Sequence, residues 1–336
     1  MKRFLTYAFP LLLACSLDAA MPEMTTLPER SSDVVLAELV QLAATLKLEN
    51  ALAEFATTYH STIKLARVRY GTVDNELAPA YVFTPVKVVS GRKYPGLVFV
   101  RGSTHGQFGN RYFALIEEAI ERGYVVICPD IRGSIGYGLT YYKKNDIAGK
   151  QIDDVLKAAD YLVESTPMVD PDQLVIMGYS HGGLMTLYAI EKAPDRFKAA
   201  VDIVGPANLV AYAARRTSAV DRAELFGQAS LAGAENNPRI LIEKSPIAHV
   251  DKIRTSLLII AASNDTIVPV PLHQDPLIAA LQIANVEHEY QVYENPPGGH
   301  EFFPDTLVGL EALGRAFDFL DKKLSRRAQA EEAKPK

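Results

Sequence analysis

Cysteine is scarce in this sequence, whose 336 residues include two, Cys15 and Cys128. We expect Cys15 to be lipidated or removed, which leaves Cys128 without a partner for a disulfide within the chain. The seven histidines include no His-Glu-x-x-His sequence, and with so few cysteines this argues against a zinc site. The sequence therefore predicts neither a bound metal nor a cofactor.

Basic clusters and long apolar runs are also missing. The formal net charge is −5 at pH 7, and the basic residues form short pairs such as Arg215-Arg216 and Arg326-Arg327. A nucleic-acid partner is therefore not expected. The apolar run 4–14 is too short to cross a membrane. With 48% hydrophobic and 22% charged residues, the chain has the composition of one globular domain with a large core.

The amino-terminal residues are similar to an export signal. Two basic residues precede the apolar run 4–14, which ends in Leu-Leu-Ala-Cys at residues 12–15, a sequence similar to a bacterial lipobox. Cleavage before Cys15 and lipidation of its thiol would anchor the mature protein to a membrane. The alternative is ordinary secretion, with cleavage near Ala19 or Ala20. Both interpretations predict an exported protein, either periplasmic or a lipoprotein that contacts the membrane through its anchor.

The pentapeptide 178–182, Gly-Tyr-Ser-His-Gly, has the Gly-x-Ser-x-Gly pattern of a nucleophile elbow. The apolar run 174–177 before it is typical of a strand, and residues 184–187 after it are spaced as in a helix. A sharp turn between strand and helix lifts the serine out of hydrogen-bonded structure, so that a base can reach its hydroxyl. The two glycines leave room for the close approach of strand and helix. We therefore predict that Ser180 is a nucleophile.

A serine at such an elbow needs an acid and a base, which follow in the order Asp or Glu, then His. Asp265 comes after an apolar strand, and His300 lies in a glycine-rich turn after another strand. An aspartate at a strand's carboxyl end can hold the imidazole in one tautomer and stabilise its protonated form. The sequence thus predicts the triad Ser180, Asp265 and His300. The other histidines are expected to be surface or hydrogen-bonded residues, although His105 lies in a loop near the predicted site.

Several segments together resemble the catalytic α/β-hydrolase domain of the prolyl oligopeptidase (S9) family of serine peptidases. The resemblance covers about residues 63–324. The segment 123–138 is similar to the family's strand and its Arg-Gly-Ser-x-Gly-Tyr-Gly turn, and the elbow and the segment 245–253 follow at similar spacing. The resemblance implies an α/β-hydrolase fold, and the mostly helical segment 206–246, which interrupts the alternation of strands and helices, is expected to form a small lid over Ser180. It also gives the three triad residues the roles of nucleophile, orienting acid and general base.

The loop after the third hydrolase strand departs from the family. Many members have His-Gly-Gly-Pro there, whereas this chain has Arg-Gly-Ser-Thr at residues 101–104. Two donors must stabilise the oxyanion, and we predict the backbone N–H groups of Ser103 and His181, because a backbone donor tolerates a change of side chain. Arg101 either pairs with a nearby acid, which we favour, or binds a substrate carboxylate. Tyr179 is a second candidate for contact with the substrate.

Substrate class follows less directly from the sequence. The residues before 63 show no repeat of four-stranded blades, so the β-propeller that screens large substrates in full-length relatives is not expected here. A serine peptidase acting on short peptides is the favoured prediction. A carboxylesterase or deacetylase with the same triad is the alternative, since amides and esters share this chemistry. A catalytically silent, membrane-anchored binding protein is a remote third, and the oligomeric state stays open.

The predicted organisation begins with a signal peptide of lipoprotein type. In the extension that follows, helical spacing predicts a hairpin of two helices, one over about residues 34–46 and a second through residues 51–56. This hairpin packs on the hydrolase or covers its mouth; a stalk from the membrane is the alternative. Alternating strands and helices predict a doubly wound, mostly parallel sheet. The predicted segments are the signal peptide at 1–14, the N-terminal helical extension at 15–60, the α/β-hydrolase domain at 61–325 with a lid insertion at 206–246, and a disordered tail at 326–336.

Overall fold

The structure is a computed structural model that describes residues 32–332 of the chain. The predicted signal peptide, the lipidation site Cys15 and residues 333–336 lie outside the described residues. The strands of the described part are β1 (Ile63–Gly71), β2 (Leu77–Pro85), β3 (Tyr94–Val100), β4 (Val125–Pro129), β5 (Val169–Tyr179), β6 (Ala199–Ile203), β7 (Ser256–Ala262) and β8 (His288–Tyr293).

Helices connect most of these strands. They are α1 (Ser32–Tyr59), α2 (Phe113–Glu121), α3 (Leu139–Tyr142), α4 (Lys150–Ser165), α5 (His181–Lys192), α6 (Leu209–Ala214), α7 (Ala219–Phe226), α8 (Arg239–Lys244), α9 (Gln274–Ile283) and α10 (Leu307–Glu332). Among the helices that the structure describes, none combines the length and apolarity required to cross a lipid bilayer.

The strands form one sheet in the order β1-β2-β4-β3-β5-β6-β7-β8. The strands from β4 to β8 pair in parallel, and β1 and β2 form an antiparallel edge. Side chains alternate along each strand, so Leu97 and Phe99 enter the core with α1, α2 and α10, while Val98 and Val100 enter the core with α4, α5 and α9. The predicted doubly wound, mostly parallel sheet is confirmed.

The amino-terminal extension is one helix, so the predicted helical hairpin is wrong. Helix α1 continues without interruption because Lys47, Leu48 and Glu49, between the two predicted helices, are good helix formers and no glycine or proline breaks the run. Its second half is anchored by Phe55, which is fully buried. The ring centroids of Phe55 and Phe83 lie 5.0 Å apart.

The predicted lid and tail segments are both helical in the described part. Residues 206–246 contain α6, α7 and α8, joined by turns, between β6 and β7. Helix α10 reaches Glu332, within the segment 326–336 that the sequence predicts to be disordered. The chain is therefore ordered as a helix beyond the predicted end of the hydrolase domain.

The topology places the predicted site residues at one edge of the sheet. Parallel strands end at a common edge, and loops there collect ligands and catalytic groups. The oxyanion loop follows β3 directly, Ser180 follows β5, Asp265 follows β7, and His300 lies in the loop after β8.

Candidate active site

Ser180 lies in a sharp turn between β5 and α5. Its backbone has φ 56° and ψ −116°, a strained conformation for a residue with a side chain. The turn is held by the Ser180 N–H, which donates to the carbonyl oxygen of Ile203 at 2.7 Å. A Cβ atom at Gly178 would collide with the backbone of Gly182, and one at Gly182 would collide with the backbone of Val100. The two glycines therefore allow α5 to approach β3 and β5 closely.

The structure brings the three predicted triad side chains together. The Ser180 hydroxyl lies 2.8 Å from Nε2 of His300, and Nδ1 of His300 lies 2.6 Å from Oδ2 of Asp265. The ionised Asp265 can only accept, so Nδ1 of His300 carries the proton and Nε2 accepts from the Ser180 hydroxyl. The side chains of His300 and Asp265 are 5% and 1% exposed, while Ser180 faces the cavity. This arrangement provides a nucleophile whose proton can move to an oriented base.

Asp265 is fixed by backbone donors as well as by the imidazole. Its second carboxylate oxygen, Oδ1, accepts from the N–H groups of Ile267 and Val268, both at 2.7 Å. These two bonds determine which oxygen faces His300. The loop after β7 therefore orients the carboxylate before any substrate binds.

The His300 loop is tied to the elbow by Tyr179, the residue before the nucleophile. The Tyr179 hydroxyl lies 3.0 Å from the carbonyl oxygen of His300 and 3.0 Å from a carboxylate oxygen of Glu301. The guanidinium of Arg111 lies over the Tyr179 ring, 4.9 Å from its centroid, and forms an ion pair with Glu301. Burial by itself raises the pKa of the Glu301 carboxyl, but the hydrogen bond and charge of Arg111 outweigh it and lower that pKa.

Tyr179 therefore holds the His300 loop from within the protein, and its contact with a substrate stays a prediction. Its side chain lines the cavity, but it is 3% exposed and its hydroxyl is occupied by the His300 loop. Neither Arg111 nor Glu301 belongs to a motif that marks it in the sequence. The position of Glu301 next to His300 was the one available indication, since nothing in the sequence links Arg111 to that loop.

Both predicted oxyanion donors line the cavity beside Ser180. Among the described residues, neither the Ser103 N–H nor the His181 N–H has a hydrogen-bond acceptor. The neighbouring N–H of Gly102, by contrast, donates to the hydroxyl of Tyr112 at 3.1 Å. Ser103 has a φ of 66°, so the loop takes a left-handed turn at this residue. The backbone groups of Ser103 and His181 are therefore free to bind an oxyanion.

The His181 side chain has a different environment from its backbone. Its Nε2 lies 3.0 Å from Oε1 of Gln151, beneath the elbow, and the residue is 4% exposed. Burial, followed by the nearby positive charges of Arg101, His105 and Arg216, lowers the pKa of His181 to about 3. The imidazole next to the nucleophile therefore stays neutral at neutral pH and does not compete with His300 as a base.

Arg101 forms the structural pairing with an acid that the sequence analysis favoured, and it does not line the cavity. Arg101 is 2% exposed, and its Nε donates to Oδ1 of Asp130 at 3.0 Å. The remaining guanidinium donors bind the carbonyl oxygens of Gly102 and Ser103 and the hydroxyl of Ser134. A buried arginine needs such partners, and here they fix the course of the oxyanion loop.

His105 also has a structural environment. Its Nδ1 lies 2.5 Å from the carbonyl oxygen of Gly133, and its Nε2 lies 2.8 Å from Oε1 of Glu224 in α7. The ring stacks on Tyr142 with centroids 3.9 Å apart. His105 therefore links the lid segment to the body of the domain.

A cavity of about 1090 Å³ opens onto Ser180 and His300. Its walls come from the oxyanion loop, the His300 loop, the lid segment through Tyr212 and Arg216, and the face of α1 that carries Ala43, Lys47 and Glu54. Polar contacts attach α1 to this position, since Gln41 accepts from the N–H of Gly136 at 2.8 Å. The cavity is large enough for a few amino-acid residues.

Beneath the elbow lies a buried carboxylate that the sequence analysis missed. Asp202 of β6 is fully buried, and its Oδ1 accepts from the N–H of Gly205 at 2.9 Å. Its other oxygen has no hydrogen-bond partner among the described residues. Burial raises the pKa of Asp202 to about 7, although the Gly205 N–H opposes the shift. No group of three or more His, Cys, Asp or Glu side chains in the described part is arranged to hold a metal ion.

The fold and the hydrogen-bonded Ser-His-Asp chain define a serine hydrolase. Residues 111–327 match the model of the prolyl oligopeptidase family (Peptidase S9), and the chain belongs to this family. The predicted family and the predicted α/β-hydrolase fold are thereby confirmed.

Three relatives illustrate the likeness. Dipeptidyl aminopeptidase BIII of Pseudoxanthomonas mexicana is 33% identical over 232 residues, which are 66% of this chain and 32% of that protein. A puromycin-hydrolyzing peptidase of Mycobacterium tuberculosis superposes with a TM-score of 0.68 and 26% identity, covering 79% of this chain and 40% of that one. An acylaminoacyl peptidase of Pyrococcus horikoshii shares the fold, with a TM-score of 0.66, 20% identity and coverage of 78% and 42%. The chain thus spans less than half the length of each.

Proposed function

We propose that the protein is an exported serine peptidase that cleaves short peptides through an acyl-enzyme on Ser180. The observation that carries this proposal is the continuous hydrogen-bonded chain from the Ser180 hydroxyl through His300 to Asp265, which opens onto the cavity. Membership of a peptidase family supports an amide as the substrate bond.

In the proposed mechanism, Nε2 of His300 accepts the Ser180 proton while the hydroxyl oxygen attacks the substrate carbonyl. Asp265 stabilises the imidazolium that forms. The N–H groups of Ser103 and His181 receive the negative charge of the tetrahedral intermediate. His300 then gives its proton to the leaving amine, and the acyl-enzyme is hydrolysed by the same steps with water as the nucleophile.

The restriction to short peptides is argued from α1. This helix contributes one wall of the cavity, and Phe55 anchors its second half in the core. A long or folded substrate would meet α1 before its backbone reached Ser180. Helix α1 would therefore limit substrate size in the described part of this chain.

Export is argued from the sequence, because residues 1–31 lie outside the described residues. The two basic residues, the apolar run 4–14 and Cys15 together support a lipoprotein signal. Labelling cells with a fatty-acid analogue should tag the wild type and should not tag Cys15→Ser. Mature protein that retains Met1 would contradict both the lipoprotein and the secretion interpretations.

The activity is tested by labelling the purified protein with a fluorophosphonate and then assaying peptidyl amides and short acyl esters in parallel. Ser180→Ala should abolish labelling and lower turnover by on the order of 10⁶-fold while the protein stays folded. The exposed Ser165→Ala is the matched control and should behave as the wild type. The double variant Ser180→Ala/His300→Ala should have nearly the same turnover as Ser180→Ala alone, since triad members act jointly.

The paired assay also separates the candidate functions. Cleavage of peptidyl amides supports the peptidase, whereas cleavage of esters without amides would favour the carboxylesterase or deacetylase. Labelling of Ser180→Ala at the wild-type rate would overturn the assignment of the nucleophile.

A further inference from the structure

Arg216 extends from the lid segment into the wall of the active-site cavity. It follows α6, and its backbone N–H donates to the carbonyl oxygen of Ala213 at 2.9 Å. Its guanidinium carbon lies 4.2 Å from the ring centroid of Tyr212, one turn earlier in the sequence. Both side chains line the cavity that contains Ser180 and His300.

Arg111, the other arginine that lines the cavity, forms ion pairs, and so does the buried Arg101 of the oxyanion loop. Arg101 pairs with Asp130, and Arg111 pairs with Glu301 and Asp305. Within the part of the chain that the structure describes, no carboxylate forms an ion pair with Arg216. Glu224, whose pKa is lowered by its hydrogen bond to His105 and further by the charge of Arg216, is occupied by that histidine.

The charge of Arg216 is also effective near the nucleophile. It contributes, after burial, Arg101 and His105, to the low pKa of His181, the residue next to Ser180. Arg216 is partly buried, so its charge is less screened than that of a side chain in bulk water. A partly buried cation facing a cavity is stabilised by an anion that enters the cavity.

The guanidinium of Arg216 lies over the Tyr212 ring, and this cation–π contact favours one position of the side chain. Its side-chain N–H groups donate no hydrogen bond to another described residue, so they are available to a ligand. Two parallel N–H groups match the two oxygens of a carboxylate and bind it more strongly than a neutral partner.

We propose that Arg216 binds a carboxylate of the peptide substrate, so that the enzyme prefers peptides with a carboxylate close to the cleaved bond. This inference rests on the proposed function, because it places a peptide in the cavity. The carboxylate can be the free carboxyl terminus or an acidic side chain, and both would meet the guanidinium through the same two oxygens.

The test measures binding in a Ser180→Ala background, so that the peptides are not consumed. Four probes are titrated by calorimetry: acetyl-trialanine with a free carboxylate, its amide, acetyl-Ala-Glu-Ala amide and acetyl-Ala-Gln-Ala amide. We expect at least one carboxylate peptide to bind about tenfold or more tightly than its uncharged partner. Arg216→Gln should reduce that ratio to near one, and Arg216→Lys should retain part of it.

The neighbouring Arg215→Gln is the matched control, since Arg215 is exposed and does not line the cavity, and it should keep the full ratio. The first pair of probes reports a carboxyl terminus and the second an acidic side chain. Equal binding within both pairs, a preference that survives Arg216→Gln, or no binding by any probe overturns the proposal. Failure of the proposed function is recognised separately, as absence of peptide hydrolysis by the protein with Ser180 intact.

Discussion

The Tyr179 hydroxyl lies 3.0 Å from the carbonyl oxygen of His300, so the residue before the nucleophile holds the loop that carries the base. The elbow and the histidine loop come from β5 and from the segment after β8, which are far apart in sequence. This contact, together with the bond from the same hydroxyl to Glu301, couples the positions of Ser180 and His300. Arg111 strengthens the coupling, because it contacts both the Tyr179 ring and Glu301.

Tyr179→Phe should therefore lower kcat by about tenfold with little change in KM, because a small displacement of the base affects proton transfer more than substrate binding. The measurement is steady-state kinetics on the best peptide substrate. Tyr124→Phe is the control, since the Tyr124 hydroxyl binds Asp321, away from the cavity. A large rise in KM with unchanged kcat would instead indicate that Tyr179 binds the substrate directly.

Arg101→Met should destabilise the protein by about 3 to 5 kcal/mol, because it leaves the buried Asp130 carboxylate without its cation. The peptidase activity of the folded variant should also fall, since the carbonyl oxygens of Gly102 and Ser103 lose the donor that fixes the oxyanion loop. Denaturant unfolding measures the first effect, with the exposed Arg69→Met as control. Unchanged stability together with weaker substrate binding would restore the substrate-contact interpretation of Arg101.

Asp202 should make the protein less stable as pH rises. Its folded-state pKa of about 7 lies above the ordinary value of 3.8, so between these values the folded state keeps a proton that the unfolded state has lost. Its contribution to the free energy of unfolding thus falls between about pH 4 and pH 7. Above pH 7 that contribution no longer changes with pH.

The change Asp202→Asn removes this titration and keeps an oxygen to accept from the Gly205 N–H. The variant should match the wild type near pH 4 and exceed its stability at pH 8 by up to about 4 kcal/mol. Denaturant unfolding at both pH values measures the difference. A difference that is independent of pH would show that Asp202 is not protonated in the folded protein.

Ala43→Trp should discriminate against long substrates, because Ala43 lies on the cavity-lining face of α1. We expect kcat/KM for a decapeptide to fall about tenfold or more, equivalent to about 1.4 kcal/mol, while a dipeptide amide is affected less. Ala53→Trp, on a different face of the same helix, is the matched control. Equal losses for both lengths would argue against α1 as a limit on substrate size.

Local sequence patterns predicted the elements that carry the site. Glycines around Ser180 and apolar strands before Asp265 are short-range features, so the nucleophile turn and its partners could be recognised without a structure. The structure of the amino-terminal extension was harder to predict, because helical spacing in its sequence does not show whether the residues form one helix or two. The good helix formers at residues 47–49 allow one continuous helix, α1.

The sequence by itself determined the family and the alternation of strands and helices, and it singled out the three side chains that the structure brings together as a hydrogen-bonded chain. Each of these depends on residues that are close in the chain or on a pattern shared with relatives. The tertiary structure decided the partners of Arg101, the contact of Tyr179 with the His300 loop and the position of α1 at the cavity. It also decided that Arg216 has no ion pair within residues 32–332. Those features join segments distant in sequence, and burial determines which charges find a partner and which remain free for a ligand.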